Sequence, residues 1–225
     1  MKSQEKSKEE LNKLSKAKPK IRNSTGGIIP SVTTVIGAVS DQSGLVKWAN
    51  KLGLDGVDAE DYKRHAADLG TCVHARCQAF LEGKEADLAG FLPNIVELSN
   101  IGYQSFRLWA DRNLDEVVDT ELQMQNEEFS GRCDMVCYAR SKGQTFLTLV
   151  DIKTGNFVDK KVKAQLEAYA HLFEETRSVM IDRIASLQLN KDEVDYIYLE
   201  GERSPKAWEF FQAALKVQQL GAEKW

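Results

Sequence analysis

Val117-Val118-Asp119-Thr120-Glu121-Leu122 is followed by Gly131-Arg132-Cys133-Asp134-Met135-Val136-Cys137-Tyr138, and then by Phe146-Leu147-Thr148-Leu149-Val150-Asp151-Ile152-Lys153-Thr154-Gly155. Each run is short and rich in β-branched, aromatic or other apolar residues, the pattern of three successive strands. Among the carboxylates they deliver are Glu121, Asp134 and Asp151, one from each run. Side chains alternate along a strand, so Asp151 and Lys153 share a face with Ile152 turned away. Likewise Arg132 and Asp134 share a face with Cys133 turned away. If the strands are neighbours, Asp134, Asp151 and Lys153 converge at the sheet edge.

Carboxylates that converge in a partly buried site repel one another and lose hydration, so a compensating cation is expected. Oxygen ligands suit Mg²⁺ or Mn²⁺, ions that also neutralise a phosphate undergoing displacement. Lys153 beside them is placed to orient an attacking water or to stabilise charge developing on the phosphate.

Downstream, Gln165 and Tyr169 are spaced i, i+4 and project from one face of a helix whose apolar side is Leu166, Ala170 and Phe173. Next come a predicted strand pair, Arg183–Leu189 and Val194–Leu199, and a helix over Ser204–Leu220. Upstream, helical spacing covers Gly44–Gly53, Ala59–Gly83 and residues 92–113. In the second of these, Tyr62, Ala66, Leu69, Val73, Cys77, Phe80 and Leu81 form the expected buried stripe, with His74 next to it. Ile95, Leu98, Ile101, Phe106, Leu108 and Trp109 play the same part in the third. Ser31 after Pro30 suits the N-cap of a short helix, although the β-branched run that follows would also suit a strand.

The chain has 225 residues and 42% apolar content, enough for one domain with its own core. Its net charge is −4, but residues 1–22 hold eight Lys and Arg against three Glu, +5, which leaves −9 on the rest. An acidic body grips a phosphate backbone only through cations and local basic patches. The division expected is a basic tail over residues 1–27 and a single domain over 28–225. That domain subdivides into a helical part (28–115), a catalytic sheet core (116–200) and a C-terminal helix (201–225). With no signal peptide at the charged start and no apolar run of membrane-spanning length, a soluble, cytoplasmic protein that meets no membrane is expected. Four cysteines in a chain this long do not make a disulfide scaffold.

Glu121, Gly131-x-x-Asp134, Asp151-x-Lys153 within Asp-Ile-Lys-Thr-Gly, and Gln165-x-x-x-Tyr169 occur in the order and spacing of the PD-(D/E)xK nucleases. Leu69-Gly70-Thr71-x-Val73-His74 resembles the helical histidine motif of their RecB-like branch. Pro30-Ser31-Val32-Thr33-x-Val35, followed by a helix with Trp48, resembles phage exonucleases and the exonucleases of mitochondrial genome maintenance. The resemblance implies an α/β, restriction-endonuclease-like core: a central mixed sheet flanked by helices, with an N-terminal helical wall along a cleft. It implies metal-dependent hydrolysis of phosphodiester bonds in DNA, preferentially from single-stranded ends, in replication, recombination or repair in a bacterial or phage-infected cell. A structure-specific endonuclease and a non-catalytic DNA-binding subunit are the alternatives.

By the same resemblance His74, Asp134, Asp151 and the Ile152 carbonyl hold the ion or ions, Mg²⁺ or Mn²⁺, with Glu121 bound directly or through water. Lys153 positions the nucleophile, and Gln165 and Tyr169 contact the substrate or support the lysine. Candidates for contact with DNA are Ser31, Thr33, Thr154 and the basic run Lys160, Lys161 and Lys163. A single-strand binding protein or a replication or recombination factor is the implied protein partner. Some RecB-like nucleases hold an iron–sulfur cluster through C-terminal cysteines, but no cysteine follows Cys137 here, so no cluster is expected.

Overall fold

The computed structural model describes residues 20–155 and 161–222. In chain order its elements are α1 (Val32–Ala38), α2 (Ser43–Leu54), α3 (Ala59–Leu81), α4 (Pro93–Asn113), β1 (Leu114–Gln125), β2 (Ser130–Ser141), β3 (Gln144–Lys153), α5 (Val162–Arg177), β4 (Arg183–Leu189), β5 (Tyr196–Glu202) and α6 (Pro205–Ala222). The strands form one sheet in sequence order. β3 and β4 run parallel because α5 carries the chain back across the sheet, and the other neighbours are antiparallel.

Local chemistry sets the boundaries. The β2–β3 hairpin turns on Lys142 and Gly143, both at positive φ (50° and 79°), as a two-residue type I′ turn requires. Between β1 and β2 the Asn126 side chain accepts from the backbone N–H groups of Glu128 and Phe129, closing the turn. Ser31 caps α1 through Thr34 N–H, Asp58 caps α3 through Glu60 and Asp61, and Pro93 opens α4.

Helices cover both faces. α1, α5 and α6 pack on one, where Cys133, Val136, Leu147, Leu149 and Ile184 meet Leu166, Phe173 and Phe211. α3 and α4 pack on the other, where Met135, Cys137, Val150, Ile152 and Leu187 meet Val73, Phe106 and Trp109. β3 therefore feeds two cores at once, which is why the neighbours Leu149 and Val150 are both apolar and both buried.

Several expectations are corrected. The stripe on α3 is narrower than its periodicity suggests: Val73 and Cys77 are buried, but Tyr62 is 45% exposed and Ala66 is exposed as well. At about 1.5 Å per residue this 23-residue helix is roughly 35 Å long and outruns the sheet. Its first turns meet α2, where Trp48 contacts Tyr62 edge-on, and no residue of α2 is buried. Leu98 on α4 is likewise exposed. The last strand begins at Tyr196 rather than Val194 because Asn190–Asp195 form a turn closed by Asn190 N–H to the Asp195 carbonyl, and it runs on to Glu202.

The expected tail gives way to structure before residue 27. Arg22 bridges Ile28, and Ser24 donates through both its N–H and its hydroxyl to Glu127. Residues 1–19 lie outside the described part. No helix among the described residues is long and apolar enough to cross a membrane.

Candidate active site

The site forms where β2 and β3 separate. The two strands pair residue for residue down to Met135–Val150, and just beyond this the Asp134 carboxylate accepts the Ile152 N–H at 2.6 Å. Across β1, Glu121 stands between the Thr120–Met135 and Leu122–Cys133 pairs, opposite Asp134. Its φ of 48° lies in the left-handed region, a strained backbone for a side chain of this kind. From α3, His74 Nδ1 comes within 3.5 Å of Asp134 Oδ1 and 3.8 Å of Glu121 Oε1. One ligand atom from each of His74, Glu121 and Asp134 lies within 4.8 Å of the other two.

Asp151, 4% exposed, stands alongside. Its Oδ2 is 2.8 Å from Lys153 Nζ, as expected for strand neighbours of like facing, and its Oδ1 faces the Gln165 amide at 3.4 Å. Gln165 in turn donates to the Tyr169 hydroxyl at 3.1 Å. Two glycines make this arrangement possible. A Cβ on Gly131 would lie 2.6 Å from Tyr169 Cε1, and one on Gly70 would lie 2.9 Å from Thr154 Oγ1. So Gly131 in Gly-x-x-Asp lets the tyrosine ring lie against β2, and Gly70 in Gly-x-x-Val-His lets the end of β3 approach α3.

Crowding of like charge shifts protonation. Burial, aided by the charge of Asp151, pushes the Asp134 carboxyl up to about 7 against the opposing influence of His74 and the Ile152 N–H. Burial alone would pull His74 down, but its hydrogen bond to Glu121 and the charges of Asp134, Glu121 and Asp151 outweigh this, and its pKa is raised. Burial and then the charge of Asp151 raise Tyr169, which stays a neutral phenol.

His74, Asp134, Asp151, Lys153, Gln165 and Tyr169 line a cleft of about 1320 Å³, together with Ser31, Thr33, Ile152 and Thr154, and Glu121 stands behind His74 and Asp134. Ser31 is also engaged in capping α1 and in hydroxyl contacts to Thr33 and Thr34. The basic run is placed differently: Lys161 donates to the Val39 carbonyl, Lys163 lies against Gly201, and neither lines the cleft. Lys160 lies outside the described residues. Sequence reasoning missed Gln123, Arg132, Lys20 and the α6 pair Gln218 and Gln219 as lining residues. Strand alternation already paired Arg132 with Asp134, and that was the available signal for it. α6 comes from far along the chain and offered none.

The residues fit a divalent cation. Glu121 Oε2 and Asp151 Oδ2 are buried oxygens with no hydrogen-bond partner. Arg132 Nε (2.9 Å) and Lys153 Nζ (2.8 Å) stand beside them as charges without hydrogen-bond geometry. Carboxylate oxygens with one imidazole suit Mg²⁺ or Mn²⁺, the nitrogen favouring Mn²⁺. The four cysteines are free and buried, and burial lifts Cys133 and Cys137 to about 12, as expected of inert core thiols.

No family model matches the chain, and no curated protein matches it significantly. Among solved structures it is similar to the phage-related exonuclease from Haemophilus somnus 129PT, with 10% identity over 86% of this chain and 92% of that one, at a TM-score of 0.42. It is also similar to SSO0001, with 16% identity over 69% of this chain and 74% of that one, at a TM-score of 0.34. At such distances the functional reading comes from the side chains of the cleft.

Proposed function

We propose that this protein is a divalent-cation-dependent deoxyribonuclease that hydrolyses phosphodiester bonds of single-stranded DNA from an end. One observation carries the reading: His74, Glu121 and Asp134 gather within 4.8 Å, next to the Asp151–Lys153 pair, at an open cleft that His74, Asp134, Asp151 and Lys153 line. A structural protein gains nothing from anionic oxygens buried without hydrogen-bond partners. A phosphodiester hydrolase does.

His74, Glu121, Asp134, Asp151 and the Ile152 carbonyl would hold the cation. When bound, it supplies Lewis-acid polarisation of the phosphate and activation of water. Lys153, anchored on Asp151, orients the water whose oxygen bonds to phosphorus as the bond to the leaving ester oxygen breaks. Gln165 holds Asp151 in register, and Tyr169, kept neutral by burial, fixes Gln165. Ser31, Thr33 and Thr154 line the path of the strand.

End-labelled linear and circular single-stranded DNA, incubated with Mn²⁺ or Mg²⁺, test both halves of the proposal. Linear strands are expected to be degraded and circles spared. Asp134→Asn, Asp151→Asn and Lys153→Ala should each abolish cleavage while circular dichroism stays native. Full activity of the Asp151→Asn protein would sink the hydrolytic reading, and circles degraded as fast as linear strands would sink end dependence.

A further inference from the structure

Arg132 enters the cleft from the same strand as Asp134. Its side chain is 59% exposed, whereas that of Glu121, its partner, is only 15% exposed. The contact runs through Nε, 2.9 Å from Glu121 Oε2, and among the described residues the guanidinium makes no hydrogen bond. Both Nη groups therefore remain available on the edge that can grip two phosphate oxygens at once. The other cationic residues lining the cleft are Lys20 and Lys153, and Lys153 is committed to Asp151. Because residues 23–225 carry a net charge of −9, a strand must be held by contacts of this local kind.

Resting on the nuclease reading above, we propose that Arg132 is an exchangeable counter-ion. With no divalent cation it neutralises Glu121. When a cation takes over that carboxylate, the guanidinium is released to hold a phosphate of the strand in the cleft. Cation and strand then bind cooperatively, because the cation frees the residue that the strand requires. Arg132 is a positioning residue in this scheme, and its signature is a contribution to strand affinity that exists only when the cation is present.

The test compares Arg132→Gln with its parent in a Lys153→Ala background, so that the strand survives. Mn²⁺ affinity without DNA is measured by calorimetry. Affinity for a fluorescein-labelled single-stranded oligonucleotide is measured by anisotropy, in Mn²⁺ and in EDTA over a range of salt. Without DNA, Arg132→Gln should bind Mn²⁺ about threefold more tightly, since an exposed competing ion pair is gone. In Mn²⁺ it should bind the strand about tenfold more weakly, with a salt slope smaller by about 0.7, the signature of one lost phosphate contact on a single strand. In EDTA the two proteins should be indistinguishable.

An equal loss with and without Mn²⁺ would make Arg132 a permanent phosphate contact and overturn the exchange. No loss in either condition would reduce it to a surface ion pair. If the parent binds neither Mn²⁺ nor the oligonucleotide, the nuclease reading itself fails, and that result is distinct from the other two.

Discussion

Replacing Gly131 with alanine tests whether the Gly-x-x-Asp segment is built around the Tyr169 ring. The new Cβ would sit 2.6 and 2.7 Å from Tyr169 Cε1 and Cδ1 and 3.2 Å from Leu172 Cδ1. Ordinary contact begins near 3.4 Å, so the ring must retreat by about 0.8 Å. It is boxed in, because Tyr169 is 4% exposed and its hydroxyl is held by Gln165. Overpacking of this size costs about 1–3 kcal/mol, and disturbing the Gln165 hydrogen bond adds about 1 kcal/mol. Gly131 is not among the positive-φ glycines, so alanine meets no backbone penalty and regains about 0.4–1 kcal/mol through the unfolded chain. The net loss is about 2 kcal/mol, a fall in Tm of about 4–8 °C for a domain of this size. Urea and thermal unfolding of Gly131→Ala, Tyr169→Ala and the double variant would measure it. In the Tyr169→Ala background the alanine at 131 should cost nothing or stabilise slightly, a coupling of about 2 kcal/mol. A Gly131→Ala protein as stable as its parent, or one equally destabilised in both backgrounds, would refute the reasoning.

Other outcomes follow from the same structure. Arg203→Met leaves Glu167, 1% exposed, with the Ser204 N–H but without the cation that holds it at 2.8 Å; stability in urea should fall by about 3–5 kcal/mol, and adding Glu167→Gln should recover at least 1 kcal/mol of this. Glu121→Gly should be more stable than Glu121→Ala by about 1 kcal/mol, because the position sits at φ 48°; an alanine variant of equal or greater stability would mean the strain is absent. Between pH 4 and about 7 the folded protein keeps a proton on Asp134 that the unfolded chain has lost, so this group's contribution to stability falls as pH rises. The raised His74 acts in the same direction: its contribution is complete below the ordinary histidine range and is lost as pH climbs through its folded value. A cation competes with those protons, so the gap in Tm between Mn²⁺ and EDTA should widen from pH 5 to pH 8. A gap independent of pH would show that these groups do not hold the ion.

What could be read in the sequence was what obeys a short period. Alternation placed Asp151 with Lys153, and the structure sets their charged ends 2.8 Å apart; helical spacing put Gln165 and Tyr169 on one face, where they are hydrogen-bonded. The three-strand reading survives as β1, β2 and β3, with the ends extended by a few residues because hairpin pairing continues past the apolar runs. Three things had no such signature. The separation of β2 from β3 at Asp134 depends on a side chain replacing a ladder bond. The clamp of Arg203 on Glu167 and Glu174 joins α5 to the approach of α6, and nothing in local pattern brings them together. α2 and the first turns of α3 look like core by spacing, yet no layer of the sheet lies beneath them.

Several unfavourable features of the molecule meet where β2 and β3 part. A glutamate in a left-handed conformation, two buried carboxylate oxygens without hydrogen bonds and an aspartate titrating near neutrality all lie around the same few residues. A few residues back along the same strands, Val136, Cys137, Leu149 and Val150 are fully buried in unbroken cores. Several local rules are thus broken together at this end of the sheet. On the proposed reading, the strain and like charge assembled in one place are relieved when a cation binds. On this argument the cation-free protein is least stable at its own site. Hydrogen exchange should then show Asp134 and Ile152 opening more readily than Val136 and Leu149, a difference that Mn²⁺ should erase. Uniform protection along β2 and β3 in EDTA would contradict it.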